Sequence, residues 1–146
     1  IVGEYSDQDV LTRVENYIKE NKLEDVVNLK FNVPNQEVLQ MFRENDLFVL
    51  PSYNEPAAYS VLEAMANKLP IICSDTNGTK CYIKEGESGF IFGARNKEDL
   101  KNKIEKIISK KEAFIEMGKV SFDNTKRNFS QSEFIRKFNS LLNKNA

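Results

Sequence analysis

Apolar residues fall into two patterns along the chain, short continuous runs and segments in which they recur every three or four positions. The continuous runs predict β-strands at residues 1–3, 26–31, 47–50, 70–74 and 89–92. The periodic segments predict helices between the strands, and further helices crowd the C-terminal third. Strands that alternate with helices favour a parallel sheet with right-handed crossovers. We therefore predict an α/β domain with a doubly wound parallel sheet and extra C-terminal helices.

Polar residues in front of the periodic segments mark the predicted helix starts, because their side chains can accept hydrogen bonds from free N–H groups. The predicted caps are Ser6 answered by Asp9, Asn35, Asn96, and Ser130 answered by Glu133. The same periodicity predicts an apolar stripe along each helix, and three of these stripes bear on how the helices pack. They are Leu62, Met65 and Ala66; Leu100, Ile104, Ile107 and Ile108; and Phe134, Ile135, Phe138, Leu141 and Leu142.

Composition excludes several classes of function. The net charge of −1 gives no global field that would attract nucleic acid or an anionic membrane. The chain has no histidine, which removes the commonest metal ligand and the commonest general base at neutral pH. Its two cysteines, Cys73 and Cys81, fit reduced packing residues and favour a cytoplasmic location. We expect no metal site, and no membrane span either, since no run of about 18 apolar residues occurs.

The length of 146 residues fits one domain, which we assign to residues 1–146. The first residue is not Met, and Ile1-Val2-Gly3 looks like the end of a strand. We expect that the chain has been cut from a longer protein and is truncated on its N-terminal side.

The segment from Pro51 to Pro70 joins the third strand to the third helix. That helix is predicted to open near Pro56, because proline suits the first helical turn, and to span roughly residues 58–67. Open α/β sheets bind anionic ligands at such junctions, where free N–H groups and the helix dipole point outward. The N–H groups that would face a diphosphate are those of Ala57, Ala58, Tyr59 and Ser60. The sequence therefore suggests a nucleotide or sugar-phosphate site.

Two carboxylates bracket this predicted helix start. Glu55 precedes it, and Glu63 lies one turn inside it, past Tyr59. Carboxylate oxygens are acceptors suited to the vicinal hydroxyls of a ribose or a hexose. Acidic residues early in a helix also balance its dipole, each contributing about 0.3–1 kcal/mol. The spacing alone leaves both explanations open.

The same segment carries a resemblance to a known family. The residues concerned are Leu50-Pro51-Ser52, Glu55-Pro56, Leu62-Glu63-Ala64-Met65-Ala66 and Leu69-Pro70-Ile71-Ile72. They resemble the signature of the retaining nucleotide-sugar glycosyltransferases called glycosyl transferases group 1 (family four). Two glutamates separated by seven residues, followed by Ala-Met-Ala, mark that family. The resemblance is specific here and extends more loosely over nearly the whole chain.

The resemblance implies the GT-B architecture, in which two Rossmann-like domains face each other across a cleft, and it makes this chain the C-terminal, donor-binding domain. It implies that Glu55 is catalytic and accepts hydrogen bonds from the transferred sugar, and that Glu63 holds the ribose hydroxyls. The backbone from Ala57 through Ala58 and Tyr59 to Ser60 would take the diphosphate. The implied partners are a nucleotide-diphosphate sugar and the missing N-terminal acceptor domain, without a metal cofactor. Membrane contact would be made only through that missing part. Because the final helix of two-domain relatives often reaches toward the other domain, we also expect part of the stripe from Phe134 to Leu142 to be exposed.

The sequence departs from the family pattern in places that bear on this hypothesis. It has Pro56-Ala57-Ala58 where members commonly have Gly-Phe-Gly or Pro-Phe-Gly, so a Cβ is added beside the phosphates. Lys68 replaces the usual helix C-cap glycine, so a non-glycine residue is expected in a left-handed conformation. Cys81 stands where a glutamate is frequent. The basic pair that usually grips the diphosphate would lie before Ile1.

Three hypotheses follow. In the first, the chain is the donor-binding half of a glycosyltransferase of polysaccharide biosynthesis, which acts on a saccharide or lipid acceptor and is inactive as a fragment. In the second, it is a non-catalytic nucleotide-binding or regulatory α/β module, in which Glu55→Ala would leave sugar transfer intact. In the third, it is a GT-B epimerase acting on nucleotide sugars, which the Ala-Met-Ala segment fits poorly.

Overall fold

The computed structural model describes residues 1–4, 7–109 and 111–143, and strands alternate with helices in the predicted order. The strands are β1 (Val2–Gly3), β2 (Lys30–Phe31), β3 (Phe48–Leu50), β4 (Ile71–Ser74) and β5 (Gly89–Phe92). The helices are α1 (Gln8–Glu20), α2 (Asn35–Glu44), α3 (Tyr59–Ala66), α4 (Lys97–Ile108), α5 (Lys111–Phe129) and α6 (Gln131–Leu142). A short 3₁₀ helix, Gly78–Tyr82, lies between β4 and β5.

The chain divides into two compact units, Ile1–Gln40 and Met41–Ala146. In the first unit, β1 and β2 pair in parallel. Asp7 caps α1, and its carboxylate accepts from the N–H groups of Asp9 and Val10 at 2.9 and 3.2 Å. The predicted cap, Ser6, lies outside the described residues.

Two predicted boundaries in this unit are wrong. The strand predicted at 26–31 is shortened to β2, because the N–H groups of Val26 and Val27 both donate to the Leu23 carbonyl in a turn. Asn35 is the first residue of α2 and not its cap, since the Pro34 carbonyl accepts the bonds that open the helix.

In the second unit, β3, β4 and β5 form a three-stranded parallel sheet with β4 in the middle. Every residue of β4 is buried. The core around it is made of Ile72, Phe90, Phe92, Ile107 and Met117. Such a buried middle strand explains the continuous apolar run in the sequence, because both of its faces are covered. The predicted α/β class with parallel strands is confirmed, and the described strands form two hydrogen-bonded sets, β1–β2 and β3–β4–β5.

The faces of α3 and α4 are rotated slightly from their predicted positions. In α3, Val61, Ala64 and Met65 are fully buried, whereas Leu62 is half-buried and Ala66 is exposed. The prediction for Ala66 is therefore wrong, since the buried stripe begins one residue earlier. In α4, Ile107 is buried as predicted, but Ile108 lies at the edge of the stripe and is 57% exposed.

One of the further helices predicted in the C-terminal third is the 19-residue α5, which packs closely on α3. A Cβ at Gly118 would lie 2.0 Å from the Lys68 carbonyl oxygen, so only glycine permits this approach. Lys68 has the predicted left-handed conformation, with φ of 64°. Ser121 Oγ donates to the Ser88 carbonyl at 3.0 Å and anchors α5 to the turn before β5.

The final helix, α6, begins at the predicted cap, because Ser130 Oγ accepts from the Glu133 N–H at 3.3 Å. Glu133 does not return the bond that a capping box requires. Its carboxylate instead accepts from Arg136 Nε and Nη2 at 2.7 and 2.6 Å. This two-point contact lowers the pKa of Glu133 to about 2.

The predicted apolar stripe of α6 is exposed. The exposed fractions are 66% for Phe134, 48% for Ile135, 51% for Phe138, 62% for Leu141 and 56% for Leu142. Hence all five large apolar residues of this face are about half or more exposed to solvent. Within the described ranges, no helix combines the length and the apolar character needed to cross a bilayer.

Candidate functional site

The candidate site lies at the carboxyl edge of β3, β4 and β5. Parallel strands deliver the loops that follow them to one edge of the sheet, which is where open α/β sheets bind ligands. Ser74 Oγ donates to the Ser52 carbonyl at 2.5 Å, and the Asn54 N–H donates to Thr76 Oγ1 at 3.3 Å. These two bonds tie the loop after β3 to the end of β4.

The loop after β5 is joined to the same edge. The Ala94 N–H donates to Asp75 Oδ1 at 2.9 Å. Lys80 Nζ, on the 3₁₀ helix, donates to the Asp75 carbonyl. The three loops therefore form one connected surface at the carboxyl edge.

Helix α3 begins at Tyr59, within one residue of the predicted span of 58–67, and Ala58 has an extended cap conformation. The helix therefore does not open at Pro56, and that part of the prediction is wrong. A contact from outside the segment explains why the helix begins later. In a helix that began at Pro56, the Glu55 carbonyl would accept a hydrogen bond from within that helix. Here it accepts from the Gly78 N–H at 2.8 Å instead. A Cβ at Gly78 would lie 1.9 Å from the Pro56 carbonyl oxygen, so glycine allows this close approach.

The predicted diphosphate donors differ in availability. The Ala57 N–H, predicted to be free, donates to Glu55 Oε1 at 3.2 Å, so that prediction is wrong for Ala57. Ala58 is buried, with 6% exposed. Within the described part of the chain, the N–H groups of Tyr59 and Ser60 have no acceptor, and Tyr59 is 77% exposed. The open end of α3 therefore presents two free N–H groups beside the positive end of the helix dipole.

The structure also separates the two explanations for the glutamates. Neither Glu55 nor Glu63 lies in the first turn of α3, where a carboxylate balances the helix dipole. Glu55 sits in the loop before the helix, and Glu63 lies in the second turn, four residues after Tyr59 and on the same face. Both side chains belong to half-buried residues. Dipole balance therefore explains neither glutamate.

The two cysteines of this region have different surroundings. Cys73 lies in β4, where burial raises the pKa of its thiol to about 12, so the thiol stays protonated near neutral pH. Cys81 is exposed on the 3₁₀ helix, and its Sγ donates to the Gly78 carbonyl at 3.3 Å. No group of three or more metal-ligating side chains occurs among the residues that the structure describes.

Sequence reasoning missed one pair at this edge. The Arg95 guanidinium lies over the Tyr53 ring, 4.1 Å from its centroid. Asn54 and Arg95 both have a left-handed backbone, with φ of 56° and 63°. That conformation destabilises an ordinary L-residue by about 1–2 kcal/mol, whereas an exposed cation–π contact stabilises by about 0.5–1 kcal/mol. No local signal identifies the pair, because β4 and α3 separate its members along the chain.

A family profile and a curated relative both match this chain over most of its length. The profile of the family described as "Glycosyl transferases group 1" matches residues 1–121. The GDP-Man:Man(3)GlcNAc(2)-PP-Dol alpha-1,2-mannosyltransferase of Dictyostelium discoideum is 27% identical over 138 residues, covering 94% of this chain and 27% of that protein. The chain thus spans about a quarter of the length of the curated relatives it matches.

Solved structures show the same fold. Sucrose-phosphate synthase (tll1590) from Thermosynechococcus elongatus is similar with a TM-score of 0.82 at 23% identity, over 98% of this chain and 37% of that one. Anabaena Alr3699/HepE, crystallised in complex with UDP, has a TM-score of 0.83 at 19% identity, over 98% of this chain and 40% of that one.

Proposed function

Because the chain belongs to the glycosyl transferases group 1 family and has the fold of its GT-B relatives, we propose that it is the C-terminal, donor-binding domain of a retaining glycosyltransferase. The whole protein transfers a sugar from a nucleotide-diphosphate donor to a saccharide or lipid acceptor. The observation that carries the proposal is the open end of α3, where free N–H groups stand between two glutamates that the helix dipole does not explain.

Each residue has a proposed role in donor binding. The N–H groups of Tyr59 and Ser60 donate hydrogen bonds to the diphosphate, because a helix N-terminus offers donors and a favourable field to an anion. Glu63, within the same helix, accepts hydrogen bonds from the ribose hydroxyls. Ala57 and Ala58 line the approach, and the Ala57 N–H joins the diphosphate donors once Glu55 releases it.

Glu55 is the proposed catalytic residue. Its carboxylate accepts hydrogen bonds from hydroxyls of the transferred sugar and orients that sugar over the end of α3. As the bond to the diphosphate breaks, negative charge grows on the leaving group, and fixed N–H donors at that position stabilise it without reorganisation. The proposed reaction uses no metal cofactor and no nucleic-acid partner, in keeping with a net charge of −1.

A second domain supplies the acceptor. We assign it, together with the basic pair expected on the diphosphate, to a part of the protein outside residues 1–146, since the chain spans about a quarter of its relatives. The stripe of α6 suits docking against that domain, because its large apolar side chains lie on one face and are about half or more exposed. We place the whole enzyme in cytoplasmic polysaccharide biosynthesis.

Titration of the chain with UDP, followed by amide NMR, tests donor binding. We expect saturable shifts at Tyr59 and Ser60. Glu63→Gln should weaken UDP binding about 10-fold or more, because it removes a charge-assisted acceptor. Glu98→Gln, an exposed glutamate in the first turn of α4, is the matched control and should have no effect. Shifts confined to regions away from α3 would refute the proposed site.

Glu55→Gln distinguishes the catalytic role from a non-catalytic module. It should leave UDP binding unchanged, weaken binding of a UDP-sugar, and reduce transfer by the full-length enzyme about 100-fold or more, which corresponds to about 3 kcal/mol of lost stabilisation. Transfer at the wild-type rate would favour the non-catalytic nucleotide-binding module.

A further inference from the structure

Arg95 is an exposed cation that the proposed donor site does not use. It follows β5, so it lies at the same carboxyl edge as the loop that carries Glu55. Within the described part of the chain, its guanidinium has no carboxylate partner and no hydrogen-bond acceptor, and its contact is with the Tyr53 ring.

The Tyr53 contact holds the guanidinium in place, with its central carbon 4.1 Å from the ring centroid. An arginine that contacts an aromatic face in this way keeps N–H donors available around the edge of its guanidinium. Those donors match the two oxygens of a carboxylate or a phosphate, which arginine binds through paired hydrogen bonds. Tyr53 is itself half-exposed, at 53%, so the pair is open to a ligand.

A purely structural role explains the pair less well. The loops after β3 and β5 are already joined to the end of β4 by the bonds to Thr76 and Asp75. The stack therefore adds little to the connection between them. The left-handed backbone of Arg95 belongs to the turn that joins β5 to α4, in which the Asn96 N–H donates to the Gly93 carbonyl at 2.9 Å. This turn holds the Arg95 side chain beside the Tyr53 ring.

We propose that the Tyr53–Arg95 pair is a binding site for an oxyanion, a phosphate or a carboxylate, on a substrate that reaches the carboxyl edge. The identity of that substrate rests on the proposed function, but oxyanion binding itself does not. Two sources have this chemistry: the diphosphate of the nucleotide, and an acidic group on the transferred sugar or the acceptor.

The side-chain Nε–Hε NMR signal of Arg95 tests the site directly. The full chain is titrated with inorganic phosphate at constant ionic strength, with potassium chloride as the salt control. We expect a saturable shift of the Arg95 signal that is at least about five-fold larger than that of Arg127, an exposed arginine of α5. Equal shifts for the two arginines, or no shift of Arg95, would overturn the proposal.

Substitutions of Tyr53 test whether oxyanion binding needs the aromatic ring that positions Arg95 or only the positive charge of Arg95. Tyr53→Phe keeps the aromatic face and should keep the Arg95 response. Tyr53→Leu keeps a similar apolar volume without that face, and the response should fall to the level of Arg127. A full response in Tyr53→Leu would show that any exposed guanidinium suffices and would overturn the proposal.

Saturation with UDP then identifies the source of the oxyanion. If UDP alone shifts the Arg95 signal and displaces phosphate, the site binds the nucleotide diphosphate. If phosphate still binds to the UDP-saturated chain, the site serves an acidic sugar or acceptor. If UDP shifts no signal at Tyr59 or Ser60, the proposed donor function fails, and the phosphate titration still decides the oxyanion site.

Discussion

The helices α4 and α6 have similar N-terminal caps but differ in how far their apolar faces are buried. Both are 12 residues long, and both open with a side-chain cap, Asn96 or Ser130, that accepts from the N–H three residues later. The stripe of α4 packs against the sheet and buries Ile107. The stripe of α6 remains exposed along its length.

The difference shows that caps and periodicity specify a helix, whereas burial depends on a partner. The cap and stripe of α6 follow the same rules as those of α4, so local sequence cannot tell the two apart. Because most helical stability in proteins comes from packing of the apolar face, α6 should be much less stable than α4 in this chain.

The largest difference between α4 and α6 is expected when one apolar side chain is removed from the stripe of each helix. Ile107→Ala should lower the free energy of unfolding by about 2–5 kcal/mol, because it leaves a cavity among Ile72, Phe90 and Met117. Phe138→Ala, which removes a half-exposed ring from α6, should cost less than about 1 kcal/mol. Urea unfolding followed by circular dichroism measures both. Similar losses from the two changes would show that α6 is covered in solution.

Removal of the two capping side chains should give a smaller difference in the free energy of unfolding. Asn96→Ala should lower the free energy of unfolding by about 1 kcal/mol, since α4 belongs to the folded core and the Asp99 N–H loses its acceptor. Ser130→Ala should leave global unfolding nearly unchanged and instead speed amide hydrogen exchange in the first turn of α6. Equal effects on global unfolding would mean that both helices unfold in one cooperative step.

The smallest effect is a pH dependence confined to α6. The paired Arg136 lowers the pKa of Glu133 to about 2 from an ordinary 4.5, so the folded helix favours the ionised form. The resulting stability is present above pH 4.5 and is lost as the pH falls toward 2. Amide exchange, corrected for its intrinsic pH dependence, should show α6 opening more at pH 3 than at pH 6. Glu133→Gln should abolish that difference, and α4 serves as the internal control.

The sequence predicted regular elements well where local rules and tertiary packing agree. The bounds of β5 and the caps at Asn96 and Ser130 were predicted from periodicity and side-chain chemistry alone. The left-handed conformation of Lys68 was predicted from the helix end it occupies. In each case the deciding residues are neighbours along the chain.

Prediction failed where a distant contact decides the local structure. Proline at position 56 favours a helix start, but the bond from the Gly78 N–H to the Glu55 carbonyl holds that segment out of the helix. The contact between Tyr53 and Arg95 likewise arises only when β3 and β5 flank β4. No periodicity or spacing encodes such a pairing. The predicted roles of Glu55, Glu63 and the α3 N–H groups stay predictions.

The close fit of Gly78 against Pro56 has a mechanical consequence for the proposed site. Since the backbone after β4 lies in close contact with the backbone after β3, the main chain at Glu55 cannot shift without moving the segment that bears Lys80 and Cys81, although the Glu55 side chain can still rotate. Any backbone rearrangement at the proposed site would therefore move both loops together. A chemical label on the accessible sulfur of Cys81 would report that motion from outside the pocket.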